Sequence, residues 1–177
     1  MRPALMTLAA GVAFVLAPGL ASADVSVALF LEINGTKIDG ENPVTSLDRE
    51  NSIQVLSISN AVTTPRDAAS GQLTGARQHK PITFTKRIDK STPLLYKALT
   101  QNEVVTEAEF RFYRPAQGGG EEHFYTIVLQ NGRVSFVGGA GGQNDDVPTE
   151  MVSFVFQNIT WTYEPTGTTH TDDWSAQ

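Results

Sequence analysis

The sequence predicts an all-β fold, a small β-barrel of two packed antiparallel sheets with one short α-helix. Seven or eight segments alternate apolar and polar residues, which is the period of a strand with one buried side. Turn formers such as glycine, proline and asparagine separate these segments at short intervals, as is typical of sandwiches and barrels. Because no internal repeat or linker interrupts them, residues 24–177 are expected to form one domain.

The first half of this domain contains three predicted strands. Residues 24–33 place their odd-numbered apolar residues on one face and are followed by the hairpin-type turn Asn34-Gly35. A second strand is predicted around residues 53–58 and a third over residues 82–88. Residues 60–78 have few large apolar side chains and many turn formers, so they predict a long loop, and loops of this length are usually functional or disordered.

A short helix follows the third strand. Ser91 or Thr92 is the predicted N-cap, and Pro93 lies in the first turn, where a missing N–H costs nothing. Leu95 and Ala98, with Leu99, share one face, so that face should pack on the core. The predicted helix has room for only about two turns.

The second half of the domain predicts a hairpin, a further strand and one long strand. Residues 108–112 and 124–129 should pair across the turn at 115–120, and residues 134–137 precede a glycine-rich loop at 138–144. The long strand covers residues 151–163, and its apolar side chains change phase near Gln157. They are Val152, Phe154 and Phe156, then Ile159, Trp161 and Tyr163. A β-bulge is the simplest cause, since one extra residue restores a constant buried face.

Residues 1–23 are typical of an export signal. Met1 and Arg2 precede an apolar segment at 4–17, and Ala21-Ser22-Ala23 fits a cleavage site. A retained membrane anchor is the weaker alternative, because the apolar run is shorter than the roughly 18 residues of a spanning helix. The mature chain would start at Asp24, without stable membrane insertion, and would be secreted or periplasmic.

Composition excludes several functions. Removal of Arg2 leaves 12 basic against 19 acidic residues, a net charge of −7, which disfavours nucleic-acid binding because that binding depends on lysine and arginine at phosphates. The absence of cysteine excludes disulfides, thiolate metal sites and cysteine nucleophiles.

No catalytic, metal or cofactor motif is evident. The three histidines His79, His123 and His170 lack metal-ligand spacing, so surface or structurally bonded roles are favoured. Three pairs of adjacent acidic residues occur, at 121–122, 145–146 and 172–173. On a strand the two side chains of each pair would point to opposite faces, and in a loop they would be solvated. The sequence GGAGGQNDD fits neither a calcium nonapeptide nor a phosphate loop. We therefore predict a protein that binds or assembles, without cofactors and not an enzyme; a hydrolase using His79 or Asp89 is the remaining enzymatic alternative.

The string FTKRIDKSTPLLYKAL at 84–99 resembles the haemolysin-coregulated protein (Hcp) family, the tube subunit of type VI secretion systems. The segments VALFLEI, NSIQVLSIS, PRDAASGQLTG, EFRFYRP, SFVGGAGG and EMVSFVFQNITWTY follow in the order that the family has. The resemblance implies a small barrel with one helix, hexameric rings that stack into a hollow tube, a lumen that carries effectors, and sheath and spike proteins as partners.

The resemblance also implies contact residues. Residues 60–78 correspond to the family's extended loop, which reaches a neighbouring subunit or ring, and the turn before the helix is a second candidate. The predicted subunit and ring contacts are Thr64, Pro65, Arg66, Asp67, Gln72, Thr74, Lys86, Arg87, Asp89 and Lys90. Because the loop lacks a core of its own, a neighbouring subunit is expected to order it.

The predicted export signal departs from the family. Family tubes assemble in the cytoplasm and leave by the contractile machine, whereas an exported subunit would sit beyond the inner membrane. An exported Hcp-like domain that acts as a periplasmic or secreted binding module is therefore the alternative function.

Overall fold

Six antiparallel strands close into a barrel. The computed structural model describes residues 25–140 and 148–174, so the predicted leader at 1–23 and residues 141–144 of the predicted glycine-rich loop lie outside the described residues. Around the barrel the strand order is β8-β7-β1-β3-β6-β9, and β9 pairs back to β8. The barrel strands are β1 (Ser26–Ile33), β3 (Ile53–Ser59), β6 (Ile82–Arg87), β7 (Val105–Pro115), β8 (Glu121–Ala140) and β9 (Thr149–Val155).

Further strands extend beyond the barrel. β2 (Thr36–Ile38) forms a hairpin with β1 across the predicted turn, where Asn34 and Gly35 have φ angles of 51° and 73°. β4 (Val62–Thr63) and β5 (Gln78–His79) form a separate two-stranded sheet. β10 (Asn158–Tyr163) and β11 (Thr168–Asp173) extend the main sheet outward from β8. The predicted all-β barrel is confirmed.

Strand β8 corrects one sequence prediction. Residues 124–129 and 134–137 were expected as two strands, but they belong to one continuous strand of 20 residues. Asn131 has a φ of 53°, and a Cβ on Gly132 would lie 2.7 Å from the carbonyl oxygen of Val155. The chain can therefore bend here and stay paired, since glycine allows the close backbone approach.

The phase change at Gln157 is real but has a different cause from the predicted bulge. The chain leaves strand geometry at Phe156 and Gln157, so β9 and β10 are separate strands. Both pair with β8, β9 with its second half and β10 with its first half. The N–H of Gln157 donates to the carbonyl oxygen of Gln130 at 3.2 Å, which keeps the link in register.

Helix α1 (Thr92–Thr100) packs on the core as predicted. Leu95 and Ala98 are buried, and the helix contacts β8. Ser91 occupies the N-cap position, but its hydroxyl makes no capping bond and donates to Asp89 at 2.6 Å instead. Ser91, one of the two predicted N-cap residues, therefore holds the cap position without a capping hydrogen bond from its side chain.

The core lies inside the barrel. Phe84 has edge contacts with Phe110 and Phe154, with ring centroids 5.4 and 5.2 Å apart, the geometry that aromatic pairs prefer. All three rings are fully buried. Within the described residues, no helix is long and apolar enough to cross a membrane.

The two ends of the barrel differ. At the end where β1 stops, Asn34 and Val104 exchange hydrogen bonds of 2.9 and 3.1 Å, which places the segment after α1 beside the β1–β2 turn. β3 runs antiparallel to β1 with Val55 opposite Val27, so Ser59 lies beyond the start of β1. The chain between β3 and β6 therefore leaves the barrel at the end opposite α1.

Candidate functional site

Residues 62–79 form a narrow paired hairpin, which we call the arm. β4 and β5 pair at its base, Arg66 bridges Leu73 further out, and the N–H of Thr74 donates to Pro65 at 3.0 Å. The expectation of a long loop is therefore corrected, because the arm has backbone pairing of its own. Its side chains are mostly exposed, so the sequence pattern showed no buried face from which this pairing could be predicted.

The tip of the arm is held by Asp67. Its Oδ1 accepts hydrogen bonds from the N–H groups of Ala69 and Ser70, at 3.2 and 2.7 Å, and from the Ser70 hydroxyl at 2.7 Å. These bonds, chiefly those from Ser70, lower the pKa of Asp67. Hydrogen bonds within the chain thus order the tip of the arm. A neighbouring subunit, which the sequence suggested would order it, is not required.

An ion cluster ties the base of the arm to β11. Arg77 Nε donates to Asp172 Oδ2 at 2.6 Å, and His79 Nε2 lies 2.7 Å from the same oxygen. The hydrogen bond from Arg77 is the main cause that lowers the pKa of Asp172, against the opposing effect of burial, and His79 adds to it. Asp172 and Asp173 lie on β11, which is the strand alternative of the two that the sequence left open for this acidic pair.

Aromatic rings enclose His79. Its ring lies 5.5, 6.2 and 5.9 Å from the rings of Phe156, Trp161 and Trp174, and its side chain is 1% exposed. The Nδ1 atom has no hydrogen-bond partner among the described residues. The rings on one side and the Asp172 carboxylate on the other fix the imidazole between the arm and β11, which indicates a structural clamp. The sequence could not reveal it, because Asp172 is 93 residues from His79.

A second buried cluster surrounds Lys86, one of the predicted contact residues. Its Nζ donates to Asp89 Oδ1 and Glu150 Oε1, both at 2.8 Å, and to the carbonyl oxygen of Arg87 at 2.7 Å. Thr92 completes the set, 3.1 Å from the ammonium, and donates to Glu150 at 2.6 Å. Lys86 therefore fastens β6 to β9 and to the start of α1.

This burial corrects the expected surface position of Lys86. Its side chain is 0% exposed within its own chain, and Asp89 is half-buried against it, whereas Arg87 and Lys90 are exposed. Burial would raise the pKa of Asp89, but hydrogen bonds from Lys86 and Ser91, with the charge of Lys86, lower it overall.

The ten predicted contact residues form two separate groups. Six lie on the arm and are exposed except for Pro65, which is half-buried; they are Thr64, Pro65, Arg66, Asp67, Gln72 and Thr74. The other four lie where β6 meets α1, at the other end of the barrel. They are Lys86, Arg87, Asp89 and Lys90. The structure does not bring the two groups together in one chain, and their contacts with neighbours stay a prediction.

Strands β10 and β11 form an extension that we call the wing. β11 is the last strand of the main sheet, so no further strand pairs with its outer edge within the described residues, although Arg77 donates to the carbonyl oxygen of Asp173 at 2.7 Å. Thr160 and Thr162 bond Thr171 and Thr169 across the wing, at 2.9 and 3.1 Å. The sequence did not predict β11, because its residues show no alternation of apolar side chains that would indicate a strand.

The sequence analysis also missed Arg49. It is 1% exposed, lies 4.2 Å from the ring centroid of Tyr113 and donates to the Ser26 hydroxyl at 3.0 Å. It also pairs with Glu121, and this hydrogen bond is the main cause that lowers the pKa of that carboxyl. Arg49 thus holds residues 39–52 against β1 and β8.

Among the described residues, no group of three or more histidine, aspartate or glutamate side chains could hold a metal ion.

With the geometry established, the chain can be compared with known proteins. The family model described as "Type VI secretion system effector, Hcp" matches residues 30–163, which is most of the barrel, the arm and β10. This chain belongs to the Hcp family. Among curated Hcp relatives, the "Major exported protein" of Pseudomonas aeruginosa is 39% identical over 133 residues, which cover 72% of this chain and 77% of that protein.

Solved Hcp structures have the same fold. Mutant Hcp1 from E. coli EAEC 042 superposes with a TM-score of 0.77 at 36% identity, over 85% of this chain and 99% of that one. The secreted protein Hcp3 from Pseudomonas aeruginosa gives a TM-score of 0.71 at 28% identity, over 85% and 99% of the two chains. The family resemblance seen in the sequence is confirmed.

Proposed function

We propose that this chain is the ring-forming subunit of a type VI secretion tube. In this function, hexameric rings stack into a hollow tube whose lumen carries effector proteins, and the sheath and spike proteins are its partners. The observation that carries the proposal is the family match over residues 30–163, together with the 39% identical relative.

The wing gives ring closure a physical basis. The barrel itself leaves no strand edge, but the outer edge of β11 (Thr168–Asp173) pairs with no further strand within the described residues, and only at Asp173 does Arg77 of the arm donate to its backbone carbonyl, at 2.7 Å. Free N–H and C=O groups along such an edge favour pairing with another chain. A copy that lies beside this edge would satisfy them and extend the sheet around a ring.

The arm supports contact between copies as well. It projects from the barrel with an ordered tip and exposed side chains, and it buries little against its own chain apart from its base. A rigid projection binds at a lower entropic cost than a disordered loop would. We propose that the six arm residues named above contact a neighbouring copy.

The proposed function involves no catalysis and no cofactor. His79, which an enzyme would have to use, packs against aromatic rings, and its partner Asp172 also accepts a hydrogen bond from Arg77. Residues 1–23 are proposed to act as a cleaved export signal ahead of a single domain at 24–177. Turnover that depends on His79 or Asp89, in a broad hydrolase screen, would contradict the non-enzymatic part.

Native mass spectrometry and electron microscopy of the purified protein test ring formation. We expect a closed oligomer in the spectrum and annular particles in the images. A strict monomer at high concentration would refute the proposal.

The predicted export signal favours a second candidate function, a periplasmic or secreted Hcp-like binding module. Fractionation of cells with and without a working type VI apparatus distinguishes the two. A tube subunit should leave the cell only when the apparatus works, whereas an independently exported module should reach the same compartment in both strains.

A further inference from the structure

A groove of about 470 Å³ lies between the base of the arm and the wing. Val62 and Thr64 line it from the arm, whereas Tyr125, Trp161 and His170 line it from β8 and the wing. Its volume falls within the roughly 300–1,000 Å³ that is usual for ligand sites in proteins. The clamp at the base of the arm forms part of the same groove, so its two walls are fastened together before any partner arrives.

Two hydrogen-bond donors of the groove have no partner in the chain. The indole Nε1–H of Trp161 and the hydroxyl of Tyr125 make no hydrogen bond among the described residues, and neither nitrogen nor oxygen is a buried atom. An indole can only donate a hydrogen bond, and a tyrosine hydroxyl can donate as well as accept. The groove therefore favours a ligand that supplies acceptors.

The ring of Trp161 is held in a fixed orientation. The rings of His79 and His170 lie 6.2 and 5.9 Å from it, with interplanar angles of 22° and 5°. His79 is held in turn by Asp172, at 2.7 Å. A side chain that is already fixed loses little further entropy when a ligand binds, which lowers the cost of binding.

Tyr125 and Trp161 form a slot for a flat ring. Tyr125 pairs with Tyr163 and Trp161 with Ile127, so Tyr125 and Trp161 are diagonal neighbours on one face of β8 and β10. Their Cα atoms should be roughly 7–8 Å apart. This is about twice the 3.5–4.0 Å of a van der Waals contact, so one aliphatic ring fits between the two aromatic rings.

The aromatic surface continues along β10 to Tyr163, which is 38% exposed. Trp161 and Tyr163 are two residues apart on the strand, a distance of about 6.6 Å. Two residues of a polyproline II helix span nearly the same distance, roughly 6.2 Å. An extended proline-rich chain could thus contact both side chains in register.

The charged groups that line the groove are satisfied by each other. Arg77 and Asp172 pair at 2.6 Å, and His79 bonds to the same carboxylate oxygen. A charged ligand would therefore gain no dedicated partner, and the donors of a sugar or of an ordinary peptide would compete for an acceptor that is already used. A proline-rich chain has carbonyl acceptors but lacks most N–H donors, so it fits the unpartnered donors of the groove.

We propose that this groove binds a proline-rich segment of a partner protein in the polyproline II conformation. One proline ring lies between Tyr125 and Trp161, and backbone carbonyls of the segment accept hydrogen bonds from the Trp161 indole and the Tyr125 hydroxyl. Aromatic-lined grooves recognise such segments because polyproline II is extended before binding and loses little entropy. The inference adds a binding site to the proposed tube function and does not depend on ring formation.

Fluorescence polarisation of a labelled peptide made of proline alone, decaproline, tests the site on the purified protein. The control peptide has the same length and alternates glycine and serine, so it lacks both the rings and the preformed conformation. We expect saturable binding of decaproline and none of the control peptide. The absence of saturable binding of decaproline at millimolar concentration would overturn the proposal.

Two conservative variants locate the binding. Tyr125→Phe removes only a hydroxyl and Trp161→Phe removes the indole N–H, so each should weaken decaproline binding about fivefold, the effect of one hydrogen bond. The matched controls are Tyr96→Phe, on the exposed side of α1, and Trp174→Phe. Trp174 lies 5.9 Å from the ring of His79, as Trp161 nearly does, but does not line the groove. Equal losses in test and control variants would overturn the proposal.

Cellotetraose, a neutral oligosaccharide, tests the competing ligand class. Saturable binding of this sugar that is weakened by Tyr125→Phe and Trp161→Phe, without binding of decaproline, would assign the groove to carbohydrate and overturn the proposal. Circular dichroism of every variant checks that the fold is kept. Tyr125→Phe changes a single exposed oxygen atom, so it gives a reading even if substitution of Trp161 disturbs the clamp.

Discussion

At the scale of single residues, Lys86 carries the strongest energetic constraint. Its ammonium is fully buried, and Asp89 and Glu150 lie 2.8 Å away on either side. Removing one partner from a buried ion pair leaves a charge without compensation, which costs far more than the intact pair contributes. Single substitutions that break the cluster should therefore destabilise this fold, whereas apolar replacement of the whole set need not.

We predict that Glu150→Gln lowers the free energy of unfolding by about 2 kcal/mol, because the substitution removes a buried charged acceptor of Lys86 and leaves Asp89 as the carboxylate paired with it. Urea unfolding followed by circular dichroism measures the change. The control is Glu122→Gln, which breaks a pair with Arg114 whose side chains are 44% and 37% exposed, and such exposed pairs contribute only about 0–1 kcal/mol. Equal effects of the two substitutions would contradict the proposed role of the buried cluster.

The lowered pKa of Asp89 predicts that the protein loses stability in acid. Its folded pKa lies below the ordinary value of 3.8, so the folded state favours the ionised carboxylate. This stabilisation is fully present above the unfolded pKa and declines as the pH falls from about 5 toward the folded pKa. In Asp89→Asn the unfolding free energy should be lower at pH 7 and should change less between pH 5 and pH 3. An unchanged slope in that variant would show that Asp89 does not contribute.

At the scale of elements, the arm is the feature that the sequence and the structure describe most differently. Its residues alternate no apolar side chains, so the periodicity that predicts strands had nothing to detect. The structure shows that backbone pairing and the Asp67 turn order its outer part, while Arg77 and His79 fix its base to the wing. An element of this kind is invisible to hydrophobic patterning because it is held by hydrogen bonds and ion pairs.

The two tryptophans of the chain, Trp161 and Trp174, report on the base of the arm. Both rings lie about 6 Å from the ring of His79 (6.2 and 5.9 Å). We predict that Asp172→Asn, which removes the carboxylate shared by Arg77 and His79, shifts tryptophan emission to longer wavelength because water gains access to these rings.

Far-UV circular dichroism should stay unchanged in that variant, since the barrel does not depend on the cluster. Asp67→Asn serves as the control, because it alters a carboxylate at the tip of the same arm, away from both tryptophans. Identical emission spectra for Asp172→Asn and the unaltered protein would argue against the clamp at the base.

At the scale of the whole molecule, the arm and the wing project from a barrel that is otherwise closed. The arm contributes no residue to the hydrophobic core cluster, whereas the wing contributes Ile159 from β10. The arm can therefore be altered without removing core contacts, so its proposed role in assembly can be tested on a folded subunit.

Deletion of residues 68–74 should therefore spare folding and ring formation and weaken the stacking of rings, because it removes the tip of the arm. Electron microscopy of concentrated protein measures stacking as the number of rings per particle, and native mass measures ring formation. The control replaces the same seven residues with a glycine-serine segment of equal length, which separates the effect of side chains from that of length. Stacks as long as those of the unaltered protein would count against the role of the arm.

The sequence by itself determined the fold class, the hairpin at Asn34-Gly35, the helix after Pro93 and the family, because alternation, turn residues and a specific string are all local signals. Tertiary structure decided that Lys86 is buried, that His79 and Asp172 meet across 93 residues, that β8 is one bent strand and that β11 exists. Each of these depends on which distant segments become neighbours when the barrel closes. Charge, hydrogen bonding and burial between such segments leave no periodic trace in the chain, so only the folded structure could place them.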